Sequence, residues 1–299
     1  MNILVTGGTV FVSRYTARYF LQRGHRVFVL NRNHLPQEAG TTLIEGDRHH
    51  LDGRLKPYHF DAVLDITAYT RQDVEALHRA LGSFDSYILV SSSAVYPETL
   101  PQPFREEQPC GPNGYWGEYG TGKIGAEAYA REHIPQAYIL RPPYLYGCMN
   151  NLYREAFVFD CAEKDRAFYV PKDGKMPLQF FDVEDLCRIM ECLIEKKPPE
   201  RVFNVGNPET VDICQWVTLC YQVLGKTPRL HYVKENVPRH DYFPFRDYGY
   251  CLEVGRQKLL LPDTKPLFRG LEESYVWYQS HRGLVAKKPY MEFIDAHLI

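Results

Sequence analysis

The sequence lacks a basic excess, a long apolar run and paired cysteines, and each absence removes a class of function. Its 35 lysines and arginines face 37 aspartates and glutamates, a formal net charge of −2. No electrostatic footprint for nucleic acid stands out from that balance. Met1-Asn2-Ile3-Leu4-Val5-Thr6-Gly7 carries no cationic stretch and only three consecutive apolar residues. That is too short for a secretory signal or a membrane span. The eight cysteines include no Cys-x-x-Cys pair, so they read as free thiols of a reduced cytoplasm rather than as a metal or redox site. His49-His50 has no third ligand at helical or turn spacing and reads as a polar surface pair. Repeats, linkers and low-complexity tracts are missing too. The expectation is a cytoplasmic chain with no membrane, nucleic-acid or metal partner. At 299 residues it can bury a core large enough for one big domain or two intimate ones.

What is present is alternation. Short β-branched runs at Asn2–Thr6, Val27–Asn31, Thr42–Glu45, Ala62–Ile66, Tyr87–Ser91 and Ala137–Arg141 predict strands. Between them, amphipathic patterns predict helices over Val12–Arg23, Arg71–Leu81 and Gly120–His133; Val74, Leu77 and Leu81 share one face. Apolar strands alternating with helices imply a parallel sheet covered on both sides, an α/β doubly wound fold. Beyond Tyr146 the rhythm changes. Helices are predicted over Leu152–Lys164, Val183–Lys197, Asp212–Leu224 and the end of Pro262–Ser280, with a further strand at Val202–Val205. The long aromatic segment Tyr96–Tyr119 is a candidate functional loop, because loops of that length need a reason.

The first strand runs into Gly7-Gly8-Thr9-Val10-Phe11-Val12-Ser13 and then a helix. Glycine there lets the backbone approach a pyrophosphate, and the helix N-terminus supplies unpaired N–H groups. The usual spacing places glycine where this chain has Val10 and Ser13. The second strand ends without the acidic residue that would hold the ribose 2′-hydroxyl of NAD. Asn31 and cationic Arg32 stand there instead, which favours NADP(H) and leaves NAD(H) open. Asp47 and Arg48, after the third strand, fall where the adenine rim should be.

Three features then follow in order. The fifth strand ends in Ser91-Ser92-Ser93, Tyr119 and Lys123 begin a helix, and Arg141-Pro142-Pro143-Tyr144 follows the sixth strand. Residues at i and i+4 share a helix face. An ammonium beside a phenol stabilises the phenolate, which brings a weak base closer to working pH. A serine hydroxyl from the strand end would hold the substrate oxygen. With 22 tyrosines a Tyr-x-x-x-Lys arises readily by chance, so its place after the serine-ended strand is the informative part. Gly117-x-x-x-x-Gly122-Lys123 fits most of a P-loop, but Ile124 replaces the magnesium-holding Ser or Thr and no strand precedes it.

The succession Thr6-Gly7-Gly8-Thr9, Ser91 to Tyr96, Tyr119-x-x-x-Lys123, Arg141-Pro142 with Tyr146-Gly147, Phe181 to Leu186 and Phe203-Asn204-Val205-Gly206 resembles the extended short-chain dehydrogenase/reductases. This is the NAD-dependent epimerase/dehydratase family, and the likeness continues to Gly270–Tyr278. The resemblance implies a Rossmann domain over residues 1–148 with about 177–206, and a smaller substrate domain over about 149–176 and 207–299. It implies Tyr119 as base, Lys123 as its partner and Ser92 as the hydroxyl, with Ser93 as the near alternative on the substrate. Ile66, Thr67 and Ala68 would line the cofactor turn, with Pro142 and Tyr144 beside the nicotinamide. A homodimer would form through the helices at 71–81 and 120–133. Ser93-Ala94 stand where the family's 4,6-dehydratases carry Asp-Glu, which argues against dehydration. The Gly-Gly-Thr-x-Phe-Val and Asn-Arg pairings also resemble a branch that includes chloroplast stem-loop RNA-binding proteins.

The expected activity is therefore NAD(P)-dependent epimerisation or reduction at a sugar hydroxyl of a nucleotide sugar. The alternatives are a reductase of another small carbonyl and a non-catalytic dinucleotide-sensing or RNA-binding relative. Arg246, inside an aromatic run, leads the candidates for a diphosphate clamp, ahead of Arg201, Arg239 and Arg256.

Overall fold

The computed structural model describes residues 1–234 and 237–299. In chain order the first half comprises β1 (Asn2–Thr6), α1 (Phe11–Gln22), β2 (Arg26–Asn31), β3 (Thr42–Glu45), β4 (His59–Asp65), α2 (Arg71–Ala80), β5 (Ser83–Val90), α3 (Gly117–His133) and β6 (Ala137–Arg141). There follow β7 (Tyr144–Tyr146), α4 (Glu155–Glu163), β8 (Phe168–Pro171), β9 (Pro177–Leu178), β10 (Phe180–Asp182), α5 (Val183–Lys196) and β11 (Val202–Asn204). Last come β12 (Val211–Asp212), α6 (Ile213–Val223), β13 (Leu230–Val233), α7 (Gly255–Leu260), α8 (Leu267–His281) and α9 (Tyr290–His297).

Seven strands form one sheet in the order β11-β6-β5-β4-β1-β2-β3, and every pairing is parallel. Successive side chains of a strand point to opposite faces, and here both faces are covered. Ile3 and Val5 of β1 pack with Ala17 and Phe20 of α1 and Leu186 and Leu193 of α5. Leu4, between them, joins Val74 and Leu77 of α2 and Ala126 and Ala130 of α3. Each such fully buried Val, Leu, Ile or Phe contributes ~1.5–3 kcal/mol, which is why the strands read as unbroken apolar runs. This is the Rossmann-type doubly wound sheet expected from the alternation. A capping box between Thr70 and Asp73 starts α2, satisfying amides that a helix end otherwise leaves unpaired.

The remaining core is aromatic. Phe157, Phe159, Trp216, Phe243, Phe245, Leu271 and Tyr278 bring α4, α6 and α8 together. Three two-stranded sheets lie beside them: β7–β10 and β8–β13 parallel, β9–β12 antiparallel. The sequence pattern predicts none of these, because strands of two to four residues are too short to show a period. The predicted helix at Leu152 starts only at Glu155, since residues 151–154 bend into the site described next. Among the described residues, no helix is long and apolar enough to cross a membrane.

Candidate active site

At the carboxyl ends of the strands, where α/β sheets place their ligands, β1 and β4 are tied by Thr6. Its hydroxyl donates to Asp65 Oδ1 at 2.8 Å and accepts the amides of Ile66 and Thr67 at 2.9 and 3.1 Å. Gly7 follows with φ +89°, and a Cβ there would lie 2.8 Å from Ser13 Oγ and 2.9 Å from Thr67 Cγ2. Gly8, also left-handed, turns toward β2, where a Cβ would lie 2.5 Å from Val29 Cγ1. Its Cα side packs the loop onto the sheet, and it is not among the residues that line the cavity described next. The missing glycines are accommodated. Val10 has an ordinary extended backbone (φ −134°), and Ser13 folds its hydroxyl onto Val10 O at 2.9 Å. Phe11 takes the positive φ instead, +35°, buried against Met149 and Val183. No side chain caps α1 and its first turn holds no acid, so this helix end retains its partial positive charge.

That loop lines one wall of a cavity of about 560 Å³. Gly7, Thr9, Val10, Phe11, Val12, Ile66 and Thr67 lie at one end; Ser91, Ser92, Tyr119, Lys123, Pro142 and Tyr144 lie at the other. The sequence-predicted phosphate loop and the Ser92/Tyr119/Lys123 set thus share one space. Lys123 is 2% exposed, and its ammonium donates to Ala68 O at 2.7 Å and Val90 O at 2.8 Å. Ala68, fully buried, contributes that carbonyl rather than a cavity-lining side chain. Lys123 Nζ stands 5.9 Å from the Tyr119 ring and 5.0 Å from the Tyr69 ring. Burial pushes its pKa down to about 8 against the pull of Asp65 and Glu127. Tyr119 is 40% exposed as a residue, and desolvation raises its phenol above the usual value. A hydrogen bond with Ser92 and the charge of Arg154 oppose the rise. The ammonium thus stands over the phenol ring while its hydrogen bonds go to two backbone carbonyls.

Behind these groups lies a buried ion pair. Arg141 donates to both carboxylate oxygens of Glu127, at 2.9 and 2.6 Å, and to Tyr96 Oη at 2.7 Å. Ser91 Oγ donates to Glu127 Oε1 at 2.6 Å. Burial opposes ionisation of Glu127, but Arg141 and Ser91 outweigh it and hold the carboxyl below its usual range.

A smaller hollow of about 360 Å³ continues the loop's other side and includes Gly7, Asn31, Arg32, Asp47, Arg48 and Thr67. Asn31 donates to Gly7 O at 2.6 Å and Gln37 Oε1 at 2.9 Å; Arg32 is exposed. The His49 amide, bonded to Asp47, holds that carboxyl below its usual range. Arg48, expected at the adenine rim, spends Nη2 on Asp65 at 2.7 Å and Thr67 at 3.3 Å, while its buried Nη1 has no partner.

The two substrate candidates are placed elsewhere. Ser93 is buried and donates to Tyr250 Oη at 2.9 Å. Arg246 lines a different cavity, of about 680 Å³, with Lys172, Arg239 and Lys288, and its guanidinium lies 5.2 Å over the Trp116 ring. Arg239 is tied up at Asp247, 2.7 Å away; Arg256 pairs with Glu107, and Arg201 lies over Tyr138 at 4.7 Å. The groups that sequence reasoning missed are Tyr69, Trp116, Asn151, Leu152, Arg154 and Tyr250, all lining the 560 Å³ cavity. Only Trp116 carried a signal, through its place in the long aromatic loop.

The profile of the NAD dependent epimerase/dehydratase family matches residues 3–206. The chloroplast stem-loop binding protein of 41 kDa b of Arabidopsis thaliana is 28% identical, covering 92% of this chain and 78% of its own. A UDP-glucose 4-epimerase of Halalkalibacterium halodurans is 23% identical, covering 75% of this chain and 81% of its own. The crystal structure of UDP-glucuronic acid 4-epimerase from Bacillus cereus, in complex with UDP-glucuronic acid and NAD, superposes with a TM-score of 0.73. It covers 94% of this chain and 99% of that one at 20% identity, a likeness of fold.

Proposed function

This chain belongs to the NAD dependent epimerase/dehydratase family, and from that premise we propose that it catalyses epimerisation or reduction at a hydroxyl of a nucleotide sugar. One observation carries the reading: the phosphate-type loop and Ser92, Tyr119 and Lys123 line the same cavity. The residues fit a dinucleotide. Gly7 leaves room that a Cβ would fill, the uncapped, acid-free start of α1 faces the cavity, and the 360 Å³ hollow offers space beside Arg32 and Asp47. We assign the first-turn amides of α1 to the pyrophosphate. NADP(H) is the preferred form because Arg32 stands where an acid would repel a 2′-phosphate.

When bound, the cofactor accepts or returns the hydride. Ser92 Oγ holds the reacting oxygen, and Tyr119 Oη exchanges the proton with it. The raised phenol keeps Tyr119 protonated at neutral pH, ready to donate when a carbonyl is reduced. Lys123, cationic below about pH 8, favours the tyrosinate left behind. Residues at about 149–176 and 207–299 hold the nucleotide sugar, with Arg246 and Lys288 of the 680 Å³ cavity toward its diphosphate.

The test is reduction of NAD+ or NADP+ by a panel of UDP- and dTDP-sugars, comparing wild type with Tyr119→Phe. Loss of the phenol should slow cofactor reduction by about 10²–10⁴-fold while cofactor binding persists. Equal rates in both proteins would end the proposal.

A second reading is favoured by the 28% identity to the stem-loop binding protein: a relative that binds RNA. The formal charge of −2 weighs against it. Salt-dependent titration with a stem-loop RNA decides, since binding through phosphates must strengthen as salt falls.

A further inference from the structure

At the amino ends of the strands, opposite the 560 Å³ cavity, β4 and β5 bring three metal-ligating side chains together. Their parallel register sets His59 beside Ser83, Phe60 beside Phe84 and Ala62 beside Ser86, so Asp61 runs alongside Asp85. Alternate residues of a strand share a face, and the imidazole and both carboxylates converge. One ligand atom from each of His59, Asp61 and Asp85 lies within 4.8 Å of the other two. It is the only such group among the described residues, and neither large cavity includes any of the three. The expectation of no metal partner rested on contiguous spacings, whereas this set is divided between two strands.

The imidazole is presented as a ligand. His59 Nδ1 lies 2.8 Å from Ser83 Oγ, and Nε2 faces Asp85 Oδ1 at 3.5 Å. A metal-bound histidine is held through its other ring nitrogen in this way, which fixes the ring and turns the remaining lone pair toward the ion. Asp61 Oδ2 accepts the Asn2 amide at 2.5 Å, so β1 steadies that carboxylate while its second oxygen is left over. Like charges side by side on neighbouring strands destabilise a sheet. Among the described residues, the one ion pair of Asp85 is with His59, and Asp61 has none. A single imidazolium offsets one of the two negative charges; a divalent cation offsets both. One nitrogen and two carboxylate oxygens suit zinc and its borderline neighbours, whereas magnesium and calcium prefer oxygen alone. Three protein ligands leave the fourth position to water. The His59 and Asp85 side chains are 51% and 49% exposed, which gives an ion a path in and lets both rotate onto bonds of about 2.0–2.2 Å.

We propose that His59, Asp61 and Asp85 bind one zinc-class divalent cation, which clamps the amino ends of β4 and β5. The site is structural and does not depend on the reaction proposed above. Full-length protein freed of metal with EDTA is titrated calorimetrically with ZnCl2 as wild type, His59→Ala and Asp85→Asn. Wild type should show a site that each substitution weakens by at least about tenfold. ZnCl2 should raise the unfolding midpoint of wild type more than that of either variant, and MgCl2 at the same concentration should leave it unchanged. Should a variant fail to fold, the visible spectrum of wild type loaded with cobalt carries the test. Nitrogen and oxygen ligands give d–d bands without the charge-transfer band of a thiolate. Zinc bound as tightly by His59→Ala as by wild type would overturn the proposal, as would no binding at all. A magnesium effect equal to that of zinc, or a cobalt spectrum dominated by thiolate charge transfer, would overturn it too.

Discussion

Gly7 and Lys123 show how single residues define this site. At Gly7 a side chain would meet Ser13 and Thr67 under 3 Å and would have to adopt φ +89°. Gly7→Ala should cost roughly 1–3 kcal/mol by urea unfolding and abolish stabilisation by cofactor; wild-type stability would refute the geometry. Lys123 makes a prediction about pH. Unfolded, it keeps its proton to about pH 10.5; folded, burial releases it near 8. Between those values the unfolded chain binds more protons, so this group adds stability as pH rises, by up to about 3 kcal/mol. The difference in unfolding free energy between wild type and Lys123→Met should therefore grow in favour of wild type from pH 8 to 10. A flat difference would mean that the lysine is not desolvated.

At the scale of elements, α3 and β6 are joined by the Glu127–Arg141 pair, with Arg141 fully buried. Removing one partner of a buried pair strands the other charge, so Glu127→Gln should cost about 3 kcal/mol or more. It should also lower the Lys123 pKa, since Glu127 is one of the charges that raise it; an unchanged titration of Lys123 would sever the two. The elements themselves were largely legible. β1, β3 and β6 match their predicted limits, because buried parallel strands are apolar throughout and bounded by polar turns. The order of phosphate loop, serine-ended strand and Tyr119/Lys123 was legible for the same reason: each sits at a strand end. Ser93 and Arg154 were not. Ser93 faces Tyr250 from 157 residues away, and Arg154 reaches the cavity only because residues 151–154 bend before α4 begins. Such placements come from tertiary approach, and no local period announces them. Arg246 shows the opposite error: its aromatic neighbourhood was legible, but the cavity it lines was not.

For the whole molecule, the 560 Å³ cavity takes walls from distant parts of the chain, from Gly7 to Tyr250. A ligand filling it contacts the sheet edge and the aromatic core at once, so binding should stabilise the folded chain as a unit. A ligand that binds only the folded state at a hundred times its Kd adds about 2.7 kcal/mol. Saturating NADP+ should thus raise the unfolding midpoint, and at equal concentration should exceed NAD+, because Arg32 lines the 360 Å³ hollow and no carboxylate ends β2. Arg32→Ala should erase the difference between the cofactors while leaving the NAD+ shift in place, since on the proposed reading the exposed guanidinium would meet only the 2′-phosphate and the loop amides would serve both. Larger stabilisation by NAD+ in wild type would assign the chain to that cofactor and return Arg32 to ordinary solvent-facing charge. No shift with either would remove the dinucleotide, and with it the reason for an uncapped helix end facing this cavity.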